Sequence, residues 1–268
     1  MKRRSFVKAS LVTGSVAAGI APIVSKAIKN DNMEKIPETE FYELRMYTLK
    51  DAAQQKLVED YFQNAAIPAF NKLGSKNIGV FTEQQPEGQT KLYVIIPYNS
   101  AENFVAVTNK LTTDNAYQHA GATYLNAPAT EPAYERIQSS FLKAFTGMPK
   151  MQIPGKKPRI FELRRYESAS EAAGKMKIKM FNDIGEISIF KRVGLTPVFF
   201  GETLIGELRP NLTYMLTFDD MAEHDKNWKT FIGDSEWNRI KAIPGYEDAK
   251  LVSHITRTFL VPTGFSQI

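Results

Sequence analysis

The chain has 268 residues, of which 43% are hydrophobic, and this length allows two ordinary domains with cores of their own. Its 17 Phe, 11 Tyr and 2 Trp exclude a disordered chain. The sequence contains no cysteine, which excludes thiol nucleophiles, Cys-ligated zinc, iron–sulfur clusters and disulfides.

The first 27 residues have the pattern of a targeting peptide. A basic start is followed by the uncharged, mildly apolar stretch 11–24, which is shorter than the ~20 residues that span a bilayer. Ser25 and Ala27 supply the small residues of a cleavage site, so the mature chain is predicted to begin at Ile28. Arg3 and Arg4, with the residues 5–8 that follow, resemble the twin-arginine signal. We therefore expect export to a bacterial periplasm; an ordinary secretory signal or an uncleaved anchor are the alternatives.

Removing this peptide changes the charge of the protein. Five of the 34 basic residues lie within residues 1–27, so the 29 that remain balance the 29 acidic residues. Without a basic excess, a nucleic-acid partner is not expected. The short apolar stretch also predicts no stable membrane span after cleavage. Residues 28–40 are polar and are predicted to be a linker.

The rest of the chain repeats itself at a shift of 118 to 120 residues. The opening motif Glu43-Leu44-Arg45 recurs as Glu162-Leu163-Arg164, and four further matches follow in the same order. They pair residues 67–74 with 187–194, 92–98 with 212–218, 114–117 with 234–237 and 137–142 with 255–260. We infer two diverged copies, 41–145 and 159–262, joined by a Pro- and Gly-containing linker at 146–158.

In the first copy the residues predict seven elements in chain order. An aromatic strand is followed by a long helix that ends at Gly74 and is expected to kink or break at Pro68. A hairpin comes next, then a helix capped by Asn99 or Ser100, a shorter helix and a last strand. The predicted ranges are 41–49, 51–73, 77–83, 91–98, 99–111, 114–124 and 134–145.

This β-α-β-β-α-β order is that of a ferredoxin-like unit, which leaves one face of its sheet uncovered. The predicted fold class is therefore α+β, with two tandem ferredoxin-like modules that pair their sheets.

The Glu-Leu-Arg-x-Tyr strand, the Gly-ended first helix and the Asp234-x-x-Trp237 helix together resemble the NIPSNAP family. The first copy departs from the pattern, because Tyr117 occupies the position of Trp237. The resemblance implies a fused dimeric α/β-barrel. That superfamily contains monooxygenases, isomerases, haem enzymes and binding proteins, so the resemblance does not decide the activity.

Alternation along the opening strands gives the candidate site. We expect Tyr42, Leu44 and Met46 to lie under the helices and the charged residues to face the barrel interior. The interior candidates are Glu43, Arg45, Tyr47, Glu162, Arg164, Tyr166 and, on the last strand with Thr256 and Thr258, His254. These residues either bind an anionic ligand or form a structural ion-pair network. Arg165, on the expected helix-facing side, does not fit this assignment.

The other candidates are weaker. His224 is expected to be solvated, and Trp228 and Trp237 are expected to pack between helix and sheet. No stretch of the sequence has metal-ligand spacing, so no metal is predicted. No motif implies a cofactor either.

Three functions remain open. The protein is a non-catalytic binder of a small molecule or a partner, a cofactor-poor monooxygenase or isomerase, or a haem protein with His254 as ligand. Assembly into a homo-oligomer is compatible with each.

Overall fold

A computed structural model describes residues 38–268 of the chain. The predicted signal peptide and most of the predicted 28–40 linker lie outside these residues. Within 38–268, no helix has the length and apolar character that a membrane span requires.

The first copy contains four strands and a set of helices in the predicted order. Asp51 and Ser100 cap the two main helices, and Asp114 caps the short one. The elements are β1 (Phe41–Leu49), α1 (Ala52–Tyr61), a π-helical turn (Phe62–Ala66), α2 (Ile67–Lys72), β2 (Gly79–Glu83), β3 (Thr90–Tyr98), α3 (Ala101–Leu111), α4 (Asn115–Ala120), α5 (Ala122–Leu125) and β4 (Arg136–Ala144).

The second copy repeats this order, with Ser170, Asp220 and Asp234 as helix caps. Its elements are β5 (Ile160–Glu167), α6 (Glu171–Lys179), a π-helical turn (Met180–Ile184), α7 (Glu186–Arg192), β6 (Thr196–Ile205), β7 (Asn211–Phe218), α8 (Met221–Gly233), α9 (Ser235–Ile240), α10 (Asp248–Leu251) and β8 (His254–Pro262).

The long helix is interrupted in the second copy rather than at Pro68. Pro68 lies in the first turn of α2, directly after the π-helical turn, and the helix of the first copy continues from α1 into α2. In the second copy Gly185, with φ +111°, separates the π-helical turn from α7. Of the kink or break expected at Pro68, the break is therefore not found, and the helix instead has a π-helical turn just before the proline.

The eight strands form one closed antiparallel barrel in the order β1-β3-β2-β8-β5-β7-β6-β4. The two four-stranded sheets join at both edges, where β2 pairs with β8 and β4 pairs with β6. Each copy thus supplies half of the barrel, which confirms the predicted fold class. Closure also leaves no sheet edge free to pair with another chain.

On the opening strands β1 and β5 the two faces are the opposite of the sequence prediction, whereas Thr256 and Thr258 of β8 face the interior as predicted. Tyr42 and Leu44 point into the barrel with Phe161 and Leu163, in an apolar cluster that fills one end of it. Glu43, Arg45 and Tyr47, and likewise Glu162, Arg164 and Tyr166, face the helices. The prediction was wrong because the interior of a small closed barrel is packed more fully with apolar side chains than the face under amphipathic helices.

The segment 146–158 between the two copies packs against both of them. Met148 belongs to the core under the second-copy helices, and Met151 belongs to the barrel interior. The Gln152 amide donates to the Val198 carbonyl at 2.8 Å. The connection therefore holds β4 and β5 in place.

Candidate ligand cleft

Under the helices of the first copy, the charged strand residues are sealed in by aromatic rings. Arg45 forms two bonds to Glu43, from Nε to Oε1 at 2.7 Å and from Nη2 to Oε2 at 2.8 Å. Ser139 and Tyr98 also donate to this carboxylate, at 2.8 and 3.2 Å. Burial alone would raise the pKa of Glu43, but these donors hold it below its ordinary value. This set is a satisfied ion-pair network.

Tyrosines complete the closure of the first copy. The rings of Tyr61 and Tyr124 stack with centroids 3.8 Å apart, and the Tyr61 hydroxyl lies 2.7 Å from that of Tyr117. The Tyr47 hydroxyl lies 3.1 Å from that of Tyr124. These rings and hydroxyls occupy the space between β1 and the helices.

The same place in the second copy is a cleft of about 640 Å³. We call it the second-copy cleft. Its floor is the outer face of β5 and β8, and its walls come from α6, α7, α8, α9 and α10. It is lined by Arg164, Tyr166, Lys177, Glu186, His224, Asp225, Trp228, Lys229, Phe231, Ile232, Trp237, Lys241, Asp248, Ile255 and Arg257.

Arg164 lies at the centre of the floor. Its Nη1 donates to Glu162 Oε1 at 2.6 Å and its Nη2 to the Tyr166 hydroxyl at 3.3 Å. The guanidinium carbon lies 4.4 Å from the centroid of the Trp228 ring, within the range of a cation–π contact. Trp228 in turn donates from Nε1 to Glu162 Oε2 at 2.9 Å. Arg164 is therefore held in one orientation by the strand and by helix α8.

His224 closes one end of the cleft. It is buried rather than solvated as the sequence suggested, because its ring packs edge-on against Phe218 and Phe259. Nδ1 lies 2.8 Å from Asp225 Oδ1, whereas Nε2 forms no hydrogen bond and lies 3.4 Å from Glu162 Oε2. This leaves one ring nitrogen without a hydrogen-bond partner beside the floor.

An ion-pair cluster forms the other end. Lys177 Nζ lies 3.0 Å from both Glu186 Oε2 and Asp248 Oδ1. Burial raises the pKa of Glu186 to about 7, although the lysine opposes the shift. Lys177 keeps its proton, since the two carboxylates outweigh the effect of burial and raise its pKa. Glu186 therefore exchanges a proton near neutral pH.

The sequence repeat shows how the two copies diverged here. At the shift of 119 to 120 residues, Lys177 corresponds to Val58 and Glu186 to Ala66, both fully buried in the first copy. His224 corresponds to Phe104. The polar ends of the cleft are thus additions of the second copy to a shared sheet.

The structure brings together only part of the predicted site. Arg164 and Tyr166 line the second-copy cleft and Glu162 lies directly beneath it, whereas Glu43, Arg45 and Tyr47 lie in the sealed first copy. His254 is exposed at the start of β8, outside the cleft. The sequence reasoning missed Lys177, Glu186 and the lining role of both tryptophans; aligning the two copies position by position would have flagged the lysine and the glutamate as polar replacements.

Residues 38–268 contain no group of three His, Asp or Glu side chains placed to hold a metal ion. The side chains that line the cleft offer a ligand hydrogen bonds, aromatic faces and charge.

The barrel of two β-α-β-β-α-β halves, with a cleft between sheet and helices, defines the dimeric α/β-barrel class. The chain belongs to the NIPSNAP family, whose profile matches residues 42–146 and 161–267. Both predicted copies are thereby confirmed as family domains. No protein with a curated description matches the sequence.

Solved structures share the fold at low sequence identity. A candidate monooxygenase from Fusobacterium nucleatum has a TM-score of 0.55 and 10% identity over 84% of this chain and 93% of its own. One from Lactobacillus acidophilus has a TM-score of 0.56 and 10% identity over 84% and 94%. A NIPSNAP family protein from Agrobacterium tumefaciens is 19% identical over 44% of this chain and 97% of its own, with a TM-score of 0.37.

Proposed function

We propose that the protein binds a small organic anion with an aromatic or apolar body in the second-copy cleft. One observation carries the proposal: the two copies share the Glu-x-Arg-x-Tyr floor, and the second has about 640 Å³ above it where stacked tyrosines fill the first. A site built only for stability would gain by being filled, as the first copy is with Tyr61 and Tyr124.

The lining favours this class of ligand. Trp228, Phe231 and Trp237 offer flat apolar surfaces, and five basic side chains outnumber three acidic ones among the lining residues. Arg257, Lys229 and Lys241 are exposed at the rim, where they attract an anion from solution.

Tryptophan fluorescence tests the proposal, because both tryptophans of the chain line the cleft. The probe is 8-anilinonaphthalene-1-sulfonate, an aromatic anion that accepts energy from excited tryptophan. We expect saturable quenching of tryptophan emission by the probe. Arg257→Glu should raise the Kd at least tenfold, because it reverses the charge beside Arg164.

Lys226→Glu is the matched control, since Lys226 is exposed on α8 but does not line the cleft. This variant changes the net charge by the same amount as Arg257→Glu does, and it should change the Kd by less than a factor of two. Equal weakening by both variants would mean that only the overall charge attracts the probe. No saturable quenching would refute the proposal.

A second function, as a cofactor-poor monooxygenase or isomerase, is favoured by Glu186. This carboxyl lines the cleft and has a pKa of about 7, so its ionised form can take a proton from a bound ligand at neutral pH. Proton removal from carbon would begin an isomerisation, or an oxygenation in which O₂ is the oxidant. After the ligand retained by the purified protein is identified, its exchange of hydrogen for deuterium in D₂O tests this step. Glu186→Gln should abolish exchange without releasing the ligand.

Haem binding through His254 would place the iron outside the cleft, because that side chain is exposed at the barrel mouth. A visible spectrum of protein from its native source decides the matter: a Soret band that His254→Ala removes would support this alternative over the two above.

We also propose export to the periplasm, on the basis of the basic start, apolar stretch and small residues within positions 1–27. N-terminal sequencing of exported protein should give Ile28. Export that continues after Arg3→Lys and Arg4→Lys together would instead indicate the general secretory route.

A further inference from the structure

The barrel is filled at one end and hollow at the other. The hollow end is a cavity of about 290 Å³, inside the sheet rather than between sheet and helices, so it is separate from the second-copy cleft. The β6–β7 turn and the first residues of β3, β4 and β8 contribute to its lining. We call this cavity the lumen site.

The lumen site has an apolar floor and hydroxyl-bearing walls. Leu44, Met46 and Leu163 form the floor. Tyr93, Ser140, Thr213, Thr256 and Thr258 surround it, together with the Gln138 amide. Such walls can donate and accept hydrogen bonds around the edge of a ligand whose C–H face rests on the floor.

Arg165 is the first of two residues at which the second copy differs from the first in the lining of this cavity. Its equivalent in the first copy is Met46, and both side chains line the lumen site. Within residues 38–268, Arg165 donates no hydrogen bond to a protein acceptor, and its Nε, although buried, lies 3.3 Å from Glu167 Oε1 without bonding geometry. Its guanidinium is thus ion-paired with Glu167 but keeps its hydrogen-bond donors unused, and a planar anion could accept from them. Arg165 did not fit the side of β5 expected to face the helices, and the structure shows that this side lines the barrel cavity instead.

Leu208 is the second such residue. It occupies the position of Gly88, and both residues have a left-handed backbone, with φ of +57° and +77°. Glycine adopts this conformation freely, whereas a residue with a Cβ does so at a cost. The Asn211 amide holds the turn by donating to the carbonyls of Glu207 and Leu208 at 3.0 and 2.9 Å. The second copy thus accepts a strained turn that places an apolar side chain at the mouth of the cavity.

We propose that the lumen site binds a hydroxylated carboxylate of the size of a sugar acid, with Arg165 holding the carboxylate and Leu208 covering the ring. The hydroxyls of the ligand meet the Thr and Ser side chains, and its C–H face meets Leu44 and Leu163. The proposal does not depend on the second-copy cleft.

The acidic side chains around this site, Glu83, Glu167 and Glu207, each already have a partner in the protein. Glu83 is engaged by the Tyr93 hydroxyl at 2.8 Å and lies 3.6 Å from Lys91 Nζ. Glu207 is exposed to solvent and accepts from Gln138 at 2.9 Å. Glu167 is the carboxylate closest to Arg165, so a bound carboxylate competes with it for the guanidinium and affinity should rise when Glu167 is replaced by Gln.

Isothermal titration with three six-membered rings tests the proposal. D-glucuronate has the carboxylate and the hydroxyls, methyl glucoside lacks the carboxylate, and cyclohexanecarboxylate lacks the hydroxyls. We expect glucuronate to bind the full chain with a Kd at or below about 1 mM and the other two to bind at least tenfold more weakly. Tryptophan emission should not change, because both tryptophans lie in the other cleft.

The variants restore the first-copy residues. Arg165→Met should weaken glucuronate at least tenfold, and Leu208→Gly should weaken it without lowering the Tm, because glycine relieves the turn. Arg239→Met, which removes an exposed arginine of α9, is the matched control and should bind as the wild type does. Absence of glucuronate binding, equal binding of cyclohexanecarboxylate, or unchanged binding by Arg165→Met would each overturn the proposal.

Discussion

Arg164 and Arg165 are neighbours in sequence with opposite structural roles. Arg164 compensates Glu162, which is fully buried, whereas Arg165 is one-third exposed at the barrel mouth. Arg164→Met should lower the free energy of unfolding by about 3–5 kcal/mol, since it leaves a buried carboxylate without its cation. Arg165→Met should change it by less than about 1 kcal/mol. Urea denaturation measures both.

Glu162→Gln combined with Arg164→Met should recover part of the lost stability, because the amide carries no charge and can still accept from Trp228. A small effect of Arg164→Met alone, or a large effect of Arg165→Met, would contradict the assignment of the two faces of β5.

Glu186 should make the stability of the protein depend on pH. Its pKa rises from an ordinary 4.5 to about 7 on folding. The folded state therefore binds more protons than the unfolded state between these values, and stability falls as pH rises from about 4.5 to 7. The contribution of this group is about 3 kcal/mol across that window.

Glu186→Gln should flatten this part of the profile in thermal unfolding followed from pH 4.5 to 7. Glu87→Gln, at an exposed turn, is the control and should keep the slope of the wild type. An unchanged slope in Glu186→Gln would show that the carboxyl is not the titrating group.

At the residue scale, the sequence was a better guide to which residues share a face of a strand than to what that face contacts. The repeated Glu-x-Arg-x-Tyr motif drew attention to Glu162, Arg164 and Tyr166, but the structure places them at the second-copy cleft and not in the barrel interior. Alternation shows which residues share a face, but it does not show which face meets the helices. The more apolar face of β1 was assigned to the helices, although the closed barrel needs it inside. The Lys177–Glu186 pair joins two helices, and only the fold brings its members together.

Elements were predicted well where local chemistry decides them. Ser100 caps the helix for which Asn99 or Ser100 was expected, and the first long helix begins after Asp51, close to its predicted start. The break at Gly185 was missed, because nothing in the sequence distinguishes this glycine from others that lie within helices. Its left-handed backbone follows from the extra residue that the second copy carries between Phe181 and Ile187.

Gly185 and Gly233 together test, at the scale of an element, whether backbone strain alone explains the break before α7. A Cβ at Gly185 or at Gly233 would meet no atom within 4 Å, but only Gly185 has a left-handed backbone. Gly185→Ala should therefore destabilise by about 1–2 kcal/mol through backbone strain alone. Gly233→Ala, at the end of α8, should be neutral or stabilise by up to about 1 kcal/mol. The denaturant midpoint should fall for Gly185→Ala and should stay unchanged or rise for Gly233→Ala; a stabilised Gly185→Ala would refute the account of the break.

The whole molecule is predicted to unfold as one unit, because each copy leaves a barrel face and two strand edges that only the other covers. Alone, residues 41–145 would expose the edges of β2 and β4 and the apolar residues Tyr42, Phe81 and Leu142. Size-exclusion chromatography of this fragment should show aggregate or a dimer closed through the same edges. A soluble, folded monomer would contradict this account.

The barrel itself was predictable because the repeat, the element order and the family resemblance all indicate two paired modules. The asymmetry between the copies was not, since it depends on whether side chains from separate helices fill the space above β1 and β5. Tyr61, Tyr117 and Tyr124 do so in the first copy, whereas Lys177, Trp228 and Trp237 leave the second open.

The claim that this open space holds a ligand is tested most directly by native mass spectrometry of the full chain purified from its own organism. We expect a bound mass of a few hundred daltons, about what 640 Å³ accommodates. That mass should be absent from Arg257→Glu and present in Lys226→Glu. A protein that carries no ligand in any form, or one that Arg257→Glu retains in full, would contradict the assignment of the second-copy cleft.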